Sequence, residues 1–194
     1  MKRVGKIKRS TGETDIEMEL IIDGSGNLEG KTGIPFLDHM LELWAHHSRC
    51  DIKMKVKGDL AVDGHHTAED VGICLGQCFK SALGDKLGIN RYGYSVVPMD
   101  EALIMVALDF SGRPYLSYEV SFAASKVGNF DVELVEEFLR AFCNNSGTTM
   151  HVKMLAGKNT HHIIEATFKS FARAVREAAA VVGNYIPSSK GLLE

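Results

Sequence analysis

Apolar and polar positions alternate or recur at helical spacing in two similar runs along the chain. Strict alternation predicts strands over Thr14–Ile22, Ala102–Asp109 and Tyr115–Phe122. In each run a helix follows, over Phe36–His46 in the first and Val132–Cys143 in the second. A short strand comes next, at Asp51–Lys57 and at Thr149–Leu155, and a longer helix closes the run. One closing helix carries its apolar stripe on Val71, Leu75, Cys78, Phe79 and Ala82, the other on Phe168, Phe171, Ala172, Val175 and Ala179. Gly84-Asp85-Lys86-Leu87-Gly88 is the clearest break between the runs.

The runs also share local sequence. Asp63-Gly64-His65-His66-Thr67-Ala68-Glu69 and Asn159-Thr160-His161-His162-Ile163-Ile164-Glu165 both contain His-His-x-x-Glu, 96 residues apart, at a helix start. Asp23-Gly24-Ser25-Gly26 matches Asp109-Phe110-Ser111-Gly112. Phe36–Leu41 matches Leu134–Leu139, and Ile52–Val56 matches Met150–Met154. Matches in one order point to duplication. The expected fold is α+β: two βαβα-type halves, each a small sheet with two helices on one face. The first repeat spans 1–87; the second spans 88–194 and carries a C-terminal tail. A sheet covered on one side leaves a helix layer exposed, so the halves are expected to pack together as one unit.

Composition narrows the class. Among 194 residues, 22 Lys plus Arg against 25 Asp plus Glu give a net charge of −3, which argues against nucleic acid as partner. No apolar run approaches the ~18 residues of a membrane span, and no apolar segment follows the basic Met1–Lys6 stretch as a secretory signal would require. Four cysteines, Cys50, Cys74, Cys78 and Cys143, form no Cys-x-x-Cys pair. Neither a disulfide framework nor a thiolate zinc site is expected, and the cytoplasm is the expected compartment.

Of eight histidines, six stand in adjacent pairs. His65 and Glu69, like His161 and Glu165, are four apart, which on a helix puts them about 5–6 Å from each other and within reach of one metal. His66 and His162 turn away by roughly 100° and suit a second ion, held by another copy of the motif. His39, on the preceding helix, and Glu137 at the aligned position of the second repeat are further ligand candidates. Imidazole with carboxylate suits Mn, Fe, Zn or Co. His46 and His47 end a helix and suit its terminal carbonyls. Arg91, Arg113 and the Ser188-Ser189-Lys190-Gly191 segment lie in loop contexts suited to a phosphate. Lys169 stands four residues after Glu165, where an ion pair is the simplest expectation. No P-loop, Gly-x-Gly-x-x-Gly or Gly-x-Ser-x-Gly occurs.

At Pro35–Met40, Asp63–Gly72, Pro98–Ala102, His161–Ala166 and Ser188–Gly191 the chain resembles the imidazoleglycerol-phosphate dehydratase family, and the likeness covers essentially its whole length. The resemblance implies halves similar to the second domain of ribosomal protein S5. It also implies a homo-oligomer of 24 subunits with octahedral symmetry, two Mn2+ ions per active site, and sites built between subunits. The implied metal ligands are His39, His65, His66, Glu69, Glu137, His161, His162 and Glu165; Glu137 stands where many members have His. The implied substrate contacts are Glu13, Arg91, Arg113, Lys169, Ser188, Ser189 and Lys190, with Glu13 as general acid/base and Asp100 and Glu101 in reserve. The implied reaction is loss of water from D-erythro-imidazole-glycerol phosphate to give imidazole-acetol phosphate in histidine biosynthesis, through a metal-bound imidazolate and a diazafulvene. A dinuclear phosphate-ester hydrolase or a metal-storage shell would draw on the same residues.

Overall fold

The structure, a computed structural model, describes residues 2–193; Met1 and Glu194 lie outside the described residues. The chain runs β1 (Val4–Ser10), β2 (Thr14–Ile21), β3 (Leu28–Glu29), α1 (Pro35–Ser48), β4 (Asp51–Gly58) and α2 (His65–Leu83). It continues through β5 (Tyr92–Met99), β6 (Ala102–Asp109), β7 (Tyr115–Glu119), a small hairpin of β8 (Lys126–Val127) and β9 (Phe130–Asp131), α3 (Leu134–Ser146), β10 (Thr149–Ala156) and α4 (Thr160–Ala179). The two four-stranded sheets, ordered β1-β2-β4-β3 and β5-β6-β10-β7, have the same topology: antiparallel pairs except for the last, which is parallel. The α+β class and the duplication are both present in this equivalence.

β1 and β5 are additions to the expected elements. Both are edge strands, and an edge strand need show little alternation. β1 carries Lys6, Lys8 and Arg9 on or near the solvent side, and β5 contains Gly93 and Pro98, which read as loop residues but are tolerated at a sheet edge. β7 stops at Glu119, short of the expected Phe122.

Each closing helix lies unusually close to its own sheet. A Cβ on Gly5 would stand 1.9 Å from the Cys78 carbonyl oxygen, and one on Gly93 would stand 2.0 Å from that of Ala174. The helices then pair across the repeat, α1 with α4 and α2 with α3. Gly72 permits the second crossing, because a Cβ there would lie 2.6 Å from the Phe138 carbonyl. Trp44 packs on Phe171 at 5.6 Å between centroids, and Phe142 on Phe171 at 4.9 Å and Phe79 at 5.9 Å. These rings are fully buried, so residues of both repeats share one core. The pairing of α1 with α4 carries the start of one helix to the start of the other, where the histidines are.

The outer faces of the sheets differ. The first is a lattice of ion pairs, among them Lys6–Glu19 at 2.7 Å and Lys8–Glu17 at 2.8 Å. The second exposes Tyr92, Tyr94 and Val96.

Candidate metal centre and anion cleft

Local rules place the histidine pairs. Asn159 Oδ1 accepts from the backbone N–H of His161 (2.9 Å) and His162 (3.3 Å), capping α4. Before α2, whose N-cap Gly64 has no side chain, Asp63 Oδ1 accepts from His65 N–H at 2.7 Å. Pro35 opens α1, and Asp38 Oδ1 accepts from Thr32 N–H and Oγ1–H at 2.6 and 2.7 Å, tying the approach loop to the turn that bears His39.

His39, His161 and Glu165 converge, each offering a ligand atom within 4.8 Å of the others. Nε2 of His161 lies 3.1 Å from Glu165 Oε2, and Nε2 of His39 lies 3.8 Å from it. Lys169 Nζ donates to the other oxygen, Oε1, at 2.6 Å, so the expected ion pair forms. Burial by itself raises the Glu165 pKa; Lys169 and His161 outweigh it and hold the carboxyl below its usual range. Glu165 is therefore an anion in a nearly buried position. Two imidazoles and a carboxylate suit a borderline or hard divalent cation and leave coordination positions free. His39 also borders two open clefts of about 460 and 390 Å³, one reaching Lys31 and Glu42, the other Asn129 and Phe130. All four cysteines are buried and unpaired, and burial pushes each thiol up to about 12. Thiolate ligation has no support.

The other expected ligands lie apart from this cluster. Among the described residues, His65, Glu69 and Glu137 form no comparable group; Glu137 faces Arg140 Nε at 3.9 Å. His66 and His162 do turn away from their neighbours. Nδ1 of His66 is 2.9 Å from Asp59 Oδ2, and Nδ1 of His162 is 2.8 Å from Glu101 Oε2. Each carboxylate raises the pKa of its histidine. Asp59 was not expected from the sequence: it precedes α2 in a loop, where no periodicity points at a partner. Glu101 is held down to about 2, by His162 first and then by the N–H groups of Asn159 and Lys158. Glu13 stands 3.6 Å from His66 Nε2, and Asp100 stands 3.7 Å from His162 Nε2.

Five of the expected substrate contacts meet in one place. Arg91, Arg113, Ser188, Ser189 and Lys190, with Ser111, line a cleft of about 360 Å³. Arg91 is fixed there by Asp109, to which it donates at 2.7 and 3.0 Å, and by the Pro187 carbonyl at 2.9 Å. Three of its five N–H groups are committed, and two remain for a ligand. The tail is stitched to the loop before β5, with Gly88 N–H donating to Tyr185 O at 2.9 Å and Val182 N–H to Gly88 O at 2.7 Å. Glu13 and Lys169 are not in this cleft; they stand at His66 and Glu165.

Fold and site together define the class: a duplicated α+β protein with a histidine–carboxylate donor cluster and a separate basic, hydroxyl-lined cleft. The family model described as imidazoleglycerol-phosphate dehydratase matches residues 32–175. The chain is 54% identical over 195 residues to the imidazoleglycerol-phosphate dehydratase of Moorella thermoacetica, with 100% of each chain covered. It is 55% identical to that of Clostridium botulinum, over 98% of both. The crystal structure of the Staphylococcus aureus enzyme superposes with a TM-score of 0.84 at 40% identity, covering 92% of this chain and 99% of that one. The chain belongs to the imidazoleglycerol-phosphate dehydratase family, whose members are hydro-lyases. No described helix is long and apolar enough to cross a membrane.

Proposed function

We propose that this protein removes water from D-erythro-imidazole-glycerol phosphate, giving imidazole-acetol phosphate, as a cytoplasmic step of histidine biosynthesis that depends on a divalent metal. The observation that carries the metal dependence is the convergence of His39, His161 and Glu165 from two repeats of one chain. The names of full-length relatives at over half identity carry the reaction.

In this reading His39, His161 and Glu165 hold one ion. His65, Glu69 and Glu137 are the counterpart set, and His66 and His162 offer Nε2 to sites completed by another subunit. Bound by these residues, two Mn2+ ions per active site would supply Lewis acidity toward the substrate ring. The chemistry needs that help, because the C–H to be broken is next to no carbonyl. The hydroxyl leaves from the carbon attached to the ring, and the proton leaves from its neighbour. Glu13 is the group that moves this proton, standing at the free nitrogen of His66 in the β1–β2 turn. Arg91, Arg113, Lys190 and the Ser188 and Ser189 hydroxyls hold the phosphate and so keep the far end of the substrate in register, and Lys169, outside that cleft and paired with Glu165, is a further substrate contact. The protein works as a homo-oligomer, of 24 subunits as the resemblance implies; self-association is supported by the exposed apolar face of the second sheet and by the separation of His65, Glu69 and Glu137 within one chain.

Incubation with the substrate tests the reading. The expected product keeps its phosphate and gains a ketone, and the reaction stops on exhaustive chelation. Release of inorganic phosphate would identify a phosphatase instead, and undiminished turnover after metal removal would overturn the metal dependence.

A further inference from the structure

The second histidine of each motif is gripped alike, yet by residues that the duplication does not relate. Asp59 follows β4, and Glu101 sits in the β5–β6 turn. β4 and β10 are topological equivalents, so the counterpart of Asp59 is Gly157, which has no side chain. β2 and β6 are equivalents too, so the counterpart of Glu101 is Glu13, which faces the other nitrogen of its histidine. The contact was therefore not copied with the repeat. Each half builds it separately, at 2.9 and 2.8 Å. Two independent routes to one geometry indicate a demand made on the imidazole itself.

That demand is readable from hydrogen-bond chemistry. An ionised carboxylate only accepts, so the nitrogen facing it carries the hydrogen. With Nδ1 protonated, a neutral imidazole has its lone pair on Nε2. Neither Nε2 has a hydrogen-bond partner among the described residues, since Glu13 and Asp100 stand beyond hydrogen-bond reach at 3.6 and 3.7 Å. Glu101 is itself immobilised, because its Oε1 accepts from Lys158 N–H at 3.1 Å and Asn159 N–H at 2.6 Å.

We infer that Asp59 and Glu101 are positioning residues: each fixes its histidine, His66 or His162, as the Nδ1–H tautomer with Nε2 open to a divalent cation. A carboxylate behind a ligating imidazole orients the ring and raises its basicity. The inference rests on the proposed role of these histidines as metal ligands.

Metal-free protein labelled with 15N-histidine reports the tautomers by NMR. His66 and His162 should both show Nδ1–H in the parent protein. Asp59→Ala should release His66 alone toward the Nε2–H form, and Glu101→Ala should release His162 alone. Manganese titration followed by EPR should show about 10–100-fold weaker binding in each variant. Asp59→Asn and Glu101→Gln, which keep an acceptor oxygen, should fall between variant and parent and serve where the Ala forms do not fold. Unchanged tautomers, or Mn2+ affinity equal to that of the parent in folded variants, would overturn the inference. A parent protein that takes up no Mn2+ would overturn the metal reading beneath it as well.

Discussion

Glu165 has two neighbours at helical spacing, His161 four residues before it and Lys169 four residues after it, and it touches both. Those contacts were legible, because i,i+4 spacing on a helix is a distance. The third member of the cluster, His39, comes from another helix, 122 residues before His161, and spacing cannot encode that approach. Asp59 was not legible either, since its approach to His66 depends on a side-chain direction within a loop; the Glu137–Arg140 contact, at i,i+3 on α3, is again helical spacing. The anion cleft divides the same way: its Arg and Lys were recognisable as loop cations, whereas the Asp109 anchor of Arg91 appears only when β5 pairs with β6. The cleft shares no lining residue with the His39–His161–Glu165 cluster. Lys190→Ala should therefore raise KM by about 10–100-fold, the loss of one charge-assisted hydrogen bond of ~1.5–3 kcal/mol, while metal content stays at the parental value. Steady-state kinetics beside elemental analysis checks this; an unchanged KM would remove Lys190 from the phosphate grip.

The helices and inner strands were readable because one face of each is buried, and burial writes a period into the sequence. β1 and β5 escaped because their role is different. They close the sheet edge and let a helix come close, and what they contribute at that point is the absence of a side chain. Gly93 lies under α4 so tightly that a Cβ would stand 2.0 Å from the Ala174 carbonyl oxygen, which is backbone and cannot swing aside. Gly93→Ala must push α4 from its sheet, an overpacking cost of ~1–3 kcal/mol. At roughly 2–4 °C per kcal/mol for a chain of this size, Tm should fall by several degrees. Gly12→Ala, where a Cβ meets nothing within 4 Å, is the control and should leave Tm nearly unchanged. Equal melting of the two variants in scanning calorimetry would contradict the close approach.

At the scale of the molecule, one chain leaves several things unfinished. One donor cluster closes, the set around His65, Glu69 and Glu137 does not, and two imidazole nitrogens face outward without partners. The second sheet exposes Tyr92, Tyr94 and Val96, and the tail exposes Val181, Val182 and Tyr185 at 61, 58 and 60%, more apolar area than a solvated monomer usually leaves in neighbouring segments. Contact with further copies of the chain, as proposed above, would meet both. If subunits also complete each other's metal sites, metal and assembly are thermodynamically linked: an ion that binds only the assembled form stabilises it by mass action. Exhaustive chelation should then reduce the particle to smaller species by size-exclusion chromatography with light scattering, and added Mn2+ should restore it. The apolar faces need no metal, so the smaller species should still be an oligomer and not a monomer. A particle of unchanged mass after complete metal removal would overturn the linkage between metal and assembly and leave the apolar faces as what holds the copies together.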